Sequence, residues 1–464
     1  MKDVISYSLA SLAKRISYQS LDTDTILEVK RRVLDTFGCL IAGFDSHASK
    51  VLREFAVQYP SENGATLIGK DIKVIPEYAT LANGGAIRYL DFNDTYLSKE
   101  PLHPSDVIAP LLALQEQYTI PIERLITAIA ISYQVGVMLC DGASLKSNGW
   151  DHVNYITIST VVGAAHLLDL SEEQTVNAIA LAIVPHGAMR QTRNGEISEW
   201  KGVAAANAAK NAVFAVKLAL TGMQGPYEAI QGSMGMNPQL LNNSLNIEEL
   251  ANQIDKILSP TAITKTYVKN WAVEYMTQSA IEAALIARTK INSVEEIEKI
   301  KLETFQLAFD VLAKDEQKWA PKTRETADHS LPYIVMAALE DGEITIDTFS
   351  DERIKNQLTL ERINRLINVS VTEEMQAGYP AGNPNRVKLL LKDGSTVIET
   401  ITKPLGHSSN PMTTEQIIDK FNRITAASLT KVQQKKVIDL TLQLEKCESL
   451  QEIYKEMLLY KGEI

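Results

Sequence analysis

Residues 201–222 read "KGVAAANAAKNAVFAVKLALTG", and this alanine-rich run sets the character of most of the chain. Alanine has the best helix propensity, and its lack of bulk suits a helix packed closely on several sides. Gly222 is placed to cap such a helix at its C-terminus. Working outward, "DTDTILEVKRRVLDTFGCLIAGF" (22–44) sets Ile26, Val29, Val33, Leu34 and Phe37 on one helical stripe. The segments "HPSDVIAPLLALQEQY" (103–118) and "SEEQTVNAIALAIV" (171–184) open with Ser105 and Ser171 as expected N-caps. No strand alternation is visible before about residue 265.

Beyond that point the pattern changes. "IEKIKLETFQLAF" (297–309) suggests a helix followed by a strand, and "RLINVSVTEE" (365–374) alternates around Ile367, Val369 and Val371. "NRVKLLLKDGSTVIETITKP" (385–404) predicts a β-hairpin turning at Asp393-Gly394. The helix-like "ADHSLPYIVMAALEDG" (327–342) lies between these strands, and helices return after "PLGHSSNPMTTEQ" (404–416). The expected fold is therefore mostly α. A large all-helical domain (1–265) carries a smaller inserted α+β lid domain (266–405), and C-terminal helices (406–464) pack back on the first.

The 464 residues exceed the size at which one core stops growing, which agrees with two domains. An apolar share of 45% and a charged share of 22% suit a globular chain with a sizeable core. The net charge of −11 argues against nucleic acid and against an anionic membrane surface as partners. The N-terminal segment has no unbroken apolar core and no small-residue cleavage site, so no secretory signal is read there. "LITAIAISYQVGVMLCDG" (125–142) is apolar for about fifteen residues against roughly twenty for a membrane span, and is expected as a buried helix. Cys39, Cys140 and Cys447 form no pair motif and no metal or iron–sulfur spacing. They read as reduced core residues of a cytoplasmic protein.

Four polar islands interrupt this background. "RYLDFNDTYLSKEPLHPSD" (88–106) crowds Asp91, Asp94, Thr95, Lys99, Glu100 and His103 between two helices. "SNGWDHVNYITIST" (147–160) places His152 before an apolar run. "PHGAMRQTRNGEISEWKGVAAANAAK" (185–210) sets His186, Arg190, Arg193, Glu196 and Lys201 ahead of the alanine-rich helix. "KWAPKTRETADHSLPY" (318–333) brings Lys322, Arg324, Glu325, Asp328 and His329. Taken singly, each reads as helix capping and solvated charge. Together they put cations and imidazoles at several helix starts in an acidic protein, which suits a concave site for a small polyanion. No dinucleotide fingerprint, nucleophile elbow or HExxH is present, and Asp91, Asp94 and His103 lack a recurring metal-ligand spacing.

In this order the islands resemble the MmgE/PrpD family, which contains 2-methylcitrate dehydratase and cis-aconitate decarboxylase. The likeness spans nearly the whole chain. Residues 88–106 carry it most specifically, and "GWDHVNYI", the Lys201 loop, "TRETADHSLPYIV" and "PLGHSSNPMTTEQIIDKF" add to it. The resemblance implies a helical domain with an α+β lid, a homodimer, no metal or other cofactor, and a small tricarboxylate substrate held between the domains. It places active-site positions on Asp91, Thr95, His103, His152 and Lys201. Asn93 and the interval from Thr95 to His103 are similar to the dehydratase branch. In "VKNWAVEYMTQSAIEAA", Met276 and Thr277 stand where the family often has a histidine.

The chemistry fits the residues. Removing a proton beside a carboxylate while hydroxide leaves suits imidazoles oriented by carboxylates. His103 and His152 are thus expected as acid and base with Asp91 tuning one of them, and Lys201 stabilises developing charge. Thr95, Arg190 and Arg193 are expected to hold the substrate, with Arg324 and His329 contributed by the lid.

Overall fold

The structure is a computed structural model that describes residues 3–195 and 197–459. Helices make up 59% and strands 9%, so the fold is mostly α. The chain forms two compact units. One runs to Thr266 and resumes at Thr413; the other is Tyr267–Met412.

The first unit contains α1 (Val4–Arg15), α2 (Thr23–Gly43), α3 (His47–Ala56), β1 (Pro60–Thr66), β2 (Lys73–Val74) and α4 (Pro76–Tyr89). It continues with α5 (Ile108–Tyr118), α6 (Ile122–Gly142), α7 (Val153–Leu168), α8 (Glu172–Ile183) and α9 (Trp200–Leu220), then the short α10 (Met236–Leu241) and α11 (Ile247–Asp255). Helix α2 starts where the Asp22 carboxylate accepts the Thr25 amide, and α8 where Ser171 and Gln174 form a reciprocal capping box. Helices α6 and α9 are long and apolar enough to cross a membrane, but 78% and 61% of their apolar windows are buried inside the unit. The alanine-rich α9 packs against α4, α7 and α8, as its small side chains allow.

Glycines allow close helix approach, two of them beside α4. A Cβ on Gly43 of α2 would fall 2.2 Å from the Ala86 carbonyl oxygen of α4, and one on Gly202 of α9 would fall 3.1 Å from Tyr89 Cα. The second contact brings the start of α9 against the end of α4, where the polar island begins.

Two local expectations for this unit change. β1 and β2 pair as a small antiparallel ribbon that alternation did not reveal. Its register slips between Pro60 and Ala65, and a bulged, charged strand loses the period of two. Ser105 is not an N-cap. A one-turn segment at Pro104–Val107 precedes α5, the Ser105 amide donates to Asp94 Oδ1 at 2.9 Å, and its hydroxyl accepts from Asn93.

The second unit contains α12 (Gln278–Arg288), β3 (Ile297–Thr304), α13 (Gln306–Leu312), α14 (Arg324–Ala327), α15 (Leu331–Asp341), α16 (Asp351–Ile354), α17 (Gln357–Leu366), β4 (Ile367–Val371), α18 (Glu373–Gly378), β5 (Asn385–Leu391) and β6 (Thr396–Ile401). The sheet order is β4-β3-β5-β6. β3 and β4 are parallel, and the other pairs are antiparallel, including the β5–β6 hairpin across Asp393-Gly394. Residues 297–309 form strand then helix, the reverse of the order expected. The irregularity between Ile297 and Lys299 sets Ile297 and Ile300 three apart on one buried face, which mimics a helical spacing. The core joins α12 and α15 to the inward face of the sheet, and Met276 is buried in it. After this unit, α19 (Thr414–Thr425), α20 (Lys431–Leu442) and α21 (Gln451–Glu456) complete the first unit, with α19 and α20 against α2.

Candidate active site in the helical unit

The centre of the site is Asp91. Helix α4 ends at Tyr89, and Asp91 takes a left-handed backbone with φ +51. That turn stops the helix in the manner of a C-terminal cap and swings the carboxylate back over the last helical turn. Arg88 Nη1 donates to Asp91 Oδ1 at 2.7 Å. The start of α9 supplies the second cation, since Lys201 Nζ donates to Asp91 Oδ2 at 3.1 Å. Arg88, Asp91 and Lys201 are all buried.

The segment after Asp91 returns on itself. Tyr96 and Leu102 exchange both backbone hydrogen bonds, and the Thr95 hydroxyl donates to the Leu102 carbonyl at 3.1 Å. This hairpin-like turn delivers His103. Its Nδ1 donates to the Asp94 carbonyl at 2.8 Å in the neutral tautomer this bond favours. Nε2 then faces the Asp91 carboxylate at 3.8 Å.

His152 comes from the start of α7, and its ring centroid is 5.7 Å from that of His103. Its Nδ1 lies 3.4 Å from Asp151 Oδ1 and its Nε2 lies 3.4 Å from Arg193 Nη2. Burial, followed by the Arg193 charge, holds this imidazole well below the usual histidine range, while Asp151 pulls weakly the other way. Burial alone would raise the Asp151 carboxyl, but the Arg193 charge and hydrogen bonds from the Val153 amide and Arg193 bring it below the usual carboxylate range. Arg193 Nε reaches Asp151 Oδ2 at 3.0 Å. The Arg193 loop is clipped to the His152 segment by Arg190 N to Gly149 O, Asp151 N to Ala188 O, and a two-way bond between Asn154 and Ala188.

Two imidazoles thus face each other among Arg88, Arg193 and Lys201, with Asp91 and Asp151 each beside one ring. Such a set can take a proton at one ring and give one at the other while the cations hold an anion. Among the described residues, no three His, Cys, Asp or Glu side chains converge as metal ligands would.

Of the residues singled out in the sequence, Asp91, Thr95, His103, His152, Arg193 and Lys201 are gathered by these contacts. Arg190 is half-buried, close enough for its charge to lower the His152 affinity for a proton. Glu196 lies outside the described residues. Arg324 and His329 belong to the second unit. There His329 Nδ1 is 2.5 Å from Asp328 Oδ1, and Arg324 sits 5.4 Å over the Phe349 ring.

The sequence reading missed the layer behind the site. Arg88 also lies 3.9 Å from Asp106 Oδ2, and burial lifts Asp106 to about 7 despite that charge. Burial also raises Asp94, which accepts from Tyr133 and Ser105 and lies 3.5 Å from Arg32. Asp35 of α2 and Lys420 of α19 form a further buried pair at 2.6 Å. A signal existed for Arg32, which falls on the buried stripe Thr25, Val29, Arg32, Thr36 of α2.

The MmgE/PrpD N-terminal domain matches residues 7–248 and the MmgE/PrpD C-terminal domain matches residues 271–446. The chain is 24% identical to 2-methylcitrate dehydratase of Escherichia coli K12, covering 90% of this chain and 89% of that protein. It is 24% identical to the mitochondrial 2-methylcitrate dehydratase of Yarrowia lipolytica (92% and 85% covered). It is 23% identical to human cis-aconitate decarboxylase (96% and 92% covered). These relatives are enzymes, and with both domain models matched along its length the chain belongs to the MmgE/PrpD family.

Proposed function

We propose that the protein is a hydro-lyase that dehydrates a citrate-like tricarboxylic acid, with 2-methylcitrate to 2-methyl-cis-aconitate as the leading reaction and citrate as a second substrate. The observation that carries this is the pair of imidazoles 5.7 Å apart, each with its own carboxylate, among three buried or nearly buried cations. The names of the two dehydratases add support.

In this mechanism His103 Nε2 takes the proton beside the substrate carboxylate, and Asp91 at 3.8 Å stabilises the imidazolium that results. His152 serves as the acid. In the free protein burial and Arg193 keep it neutral. A bound polycarboxylate offsets the Arg193 charge, raises the ring's proton affinity and lets it protonate the departing hydroxide. Lys201 and Arg193 stabilise the charge that builds as the proton leaves, and Thr95 and Arg190 contact substrate oxygens. No step draws on a metal.

Removing an acid or base of this kind costs about a hundred- to ten-thousand-fold in rate. The test follows alkene absorbance and carbon dioxide together on 2-methylcitrate, citrate and cis-aconitate, for the wild type and for His103→Ala and His152→Ala of verified fold. Alkene without carbon dioxide, lost in both variants, is expected. Near-wild-type turnover in either variant would sink the assignment. The similarity to human cis-aconitate decarboxylase favours decarboxylation as the second reading, and carbon dioxide from cis-aconitate would select it.

A further inference from the structure

We propose that Lys420 of α19, paired with Asp35 of α2, is a positioning residue for the catalytic segment. It fixes the Phe92 carbonyl and thereby the left-handed turn that aims the Asp91 carboxylate at Lys201 and His103. This rests on the catalytic reading above.

The argument starts from backbone strain. A non-glycine residue in the left-handed region costs about 1–3 kcal/mol and persists only where its surroundings over-determine it. Asp91 is such a residue. Arg88 and Lys201 hold its side chain, but they do not hold the peptide that follows. Lys420 does. Its Nζ donates to the Phe92 carbonyl at 3.1 Å, sits 4.0 Å over the Phe92 ring and lies 2.6 Å from Asp35 Oδ1. These contacts fix the ammonium in three directions, and Lys420, Asp35 and Phe92 are each no more than 3% exposed.

The same helix face also holds the chain two residues further on. Three residues before Asp35, Arg32 lies 3.5 Å from Asp94 Oδ2, and it is the Asp94 carbonyl that receives the His103 Nδ1 proton. Helix α2 therefore grips the segment at two points just after the Asp91 turn, directly through Arg32 and through Lys420 by way of Asp35. Stability alone does not explain the pair, because a buried ion pair replaced by apolar residues is often neutral or stabilising. Position does explain it: a misplacement of about 1 Å at a reacting group can cost about a hundredfold in rate.

The test compares Lys420→Met with the double variant Asp35→Asn/Lys420→Met. The single change strands a buried carboxylate and is expected to lower stability and kcat together. The double change removes both charges. It is expected to recover most of the urea midpoint while kcat stays about 10- to 100-fold low, with KM within about threefold of wild type. Recovery of kcat along with stability would overturn the proposal. Imidazole nitrogen resonances of His103, assigned by loss in His103→Gln, are expected to shift in the double variant, and unchanged resonances would likewise overturn it. Because that readout needs no turnover, failure of the wild type on every tricarboxylate would count against the function and leave the resonances to judge Lys420.

Discussion

Asp91→Asn is the most informative single change, because it removes charge while keeping shape. Asparagine shares aspartate's tolerance of the left-handed conformation, so the turn at φ +51 carries little new strain. The carboxylate accepts from Arg88 at 2.7 Å through one oxygen and from Lys201 at 3.1 Å through the other. An amide can satisfy only one of these donors and turns its own N–H groups on the other. At least one charge-assisted hydrogen bond is lost, and a buried cation loses its counter-charge. Breaking a buried pair from one side costs about 3–5 kcal/mol. Asp91→Ala loses the same charge and gains left-handed strain of about 1–2 kcal/mol. Urea unfolding followed by circular dichroism should therefore rank wild type, Asn and Ala in that order, with the larger gap first. On 2-methylcitrate, kcat should fall about a hundredfold or more in Asp91→Asn, as expected for a displaced reacting group. An Asn variant within about 1 kcal/mol of wild type and equally active would refute the central role given to Asp91.

Other perturbations probe the surroundings. Gly43→Ala should destabilise by about 1–3 kcal/mol and lower kcat, because the added methyl pushes α4, and with it Arg88 and Asp91, away from α2; urea unfolding with parallel kinetics checks both. Asn93→Asp replaces a donor to Asp106 at 2.9 Å with a second carboxylate that raises the pair further, so stability measured by urea should fall more steeply than in wild type as pH rises from about 4, where the unfolded carboxyls ionise, through about 7. His152 has a folded pKa below its unfolded value, so the unfolded chain binds the extra proton as pH drops below about 6.5. Stability contributed by its neutral form is present above that pH and is lost as pH falls, by up to about 1.4 kcal/mol per unit. His152→Gln should flatten that part of the profile without abolishing it, since burial lowers His166, His186 and His407 as well.

Much of the helical organisation was legible because α2, α8 and α9 carry apolar stripes, capping residues or alanine runs that act locally. The β5–β6 hairpin was legible for the same reason, through Asp393-Gly394. β3 was misordered because a ladder irregularity, a relation between two strands, imitates helical spacing in one. Within the site, residues standing in loops among apolar neighbours were conspicuous, as with Asp91, His103 and His152. Asp35 and Lys420 were not, because charged residues on amphipathic helices ordinarily face water. The packing of α19 against α2 shows that these two do not. Ser105 failed as a cap because its amide and hydroxyl are taken by Asp94 and Asn93, partners that a local rule does not see.

The contact between Lys420 and the Phe92 carbonyl also has a meaning in time. Its two ends are 328 residues apart. At a synthesis rate of about 5–20 residues per second, Phe92 leaves the ribosome roughly a quarter of a minute to a minute before its partner exists. Throughout that interval the early helices can form while Asp35 lacks its counter-charge and the Asp91 turn lacks its anchor. Activity therefore arrives late in the life of each new molecule, with the docking of the last helices.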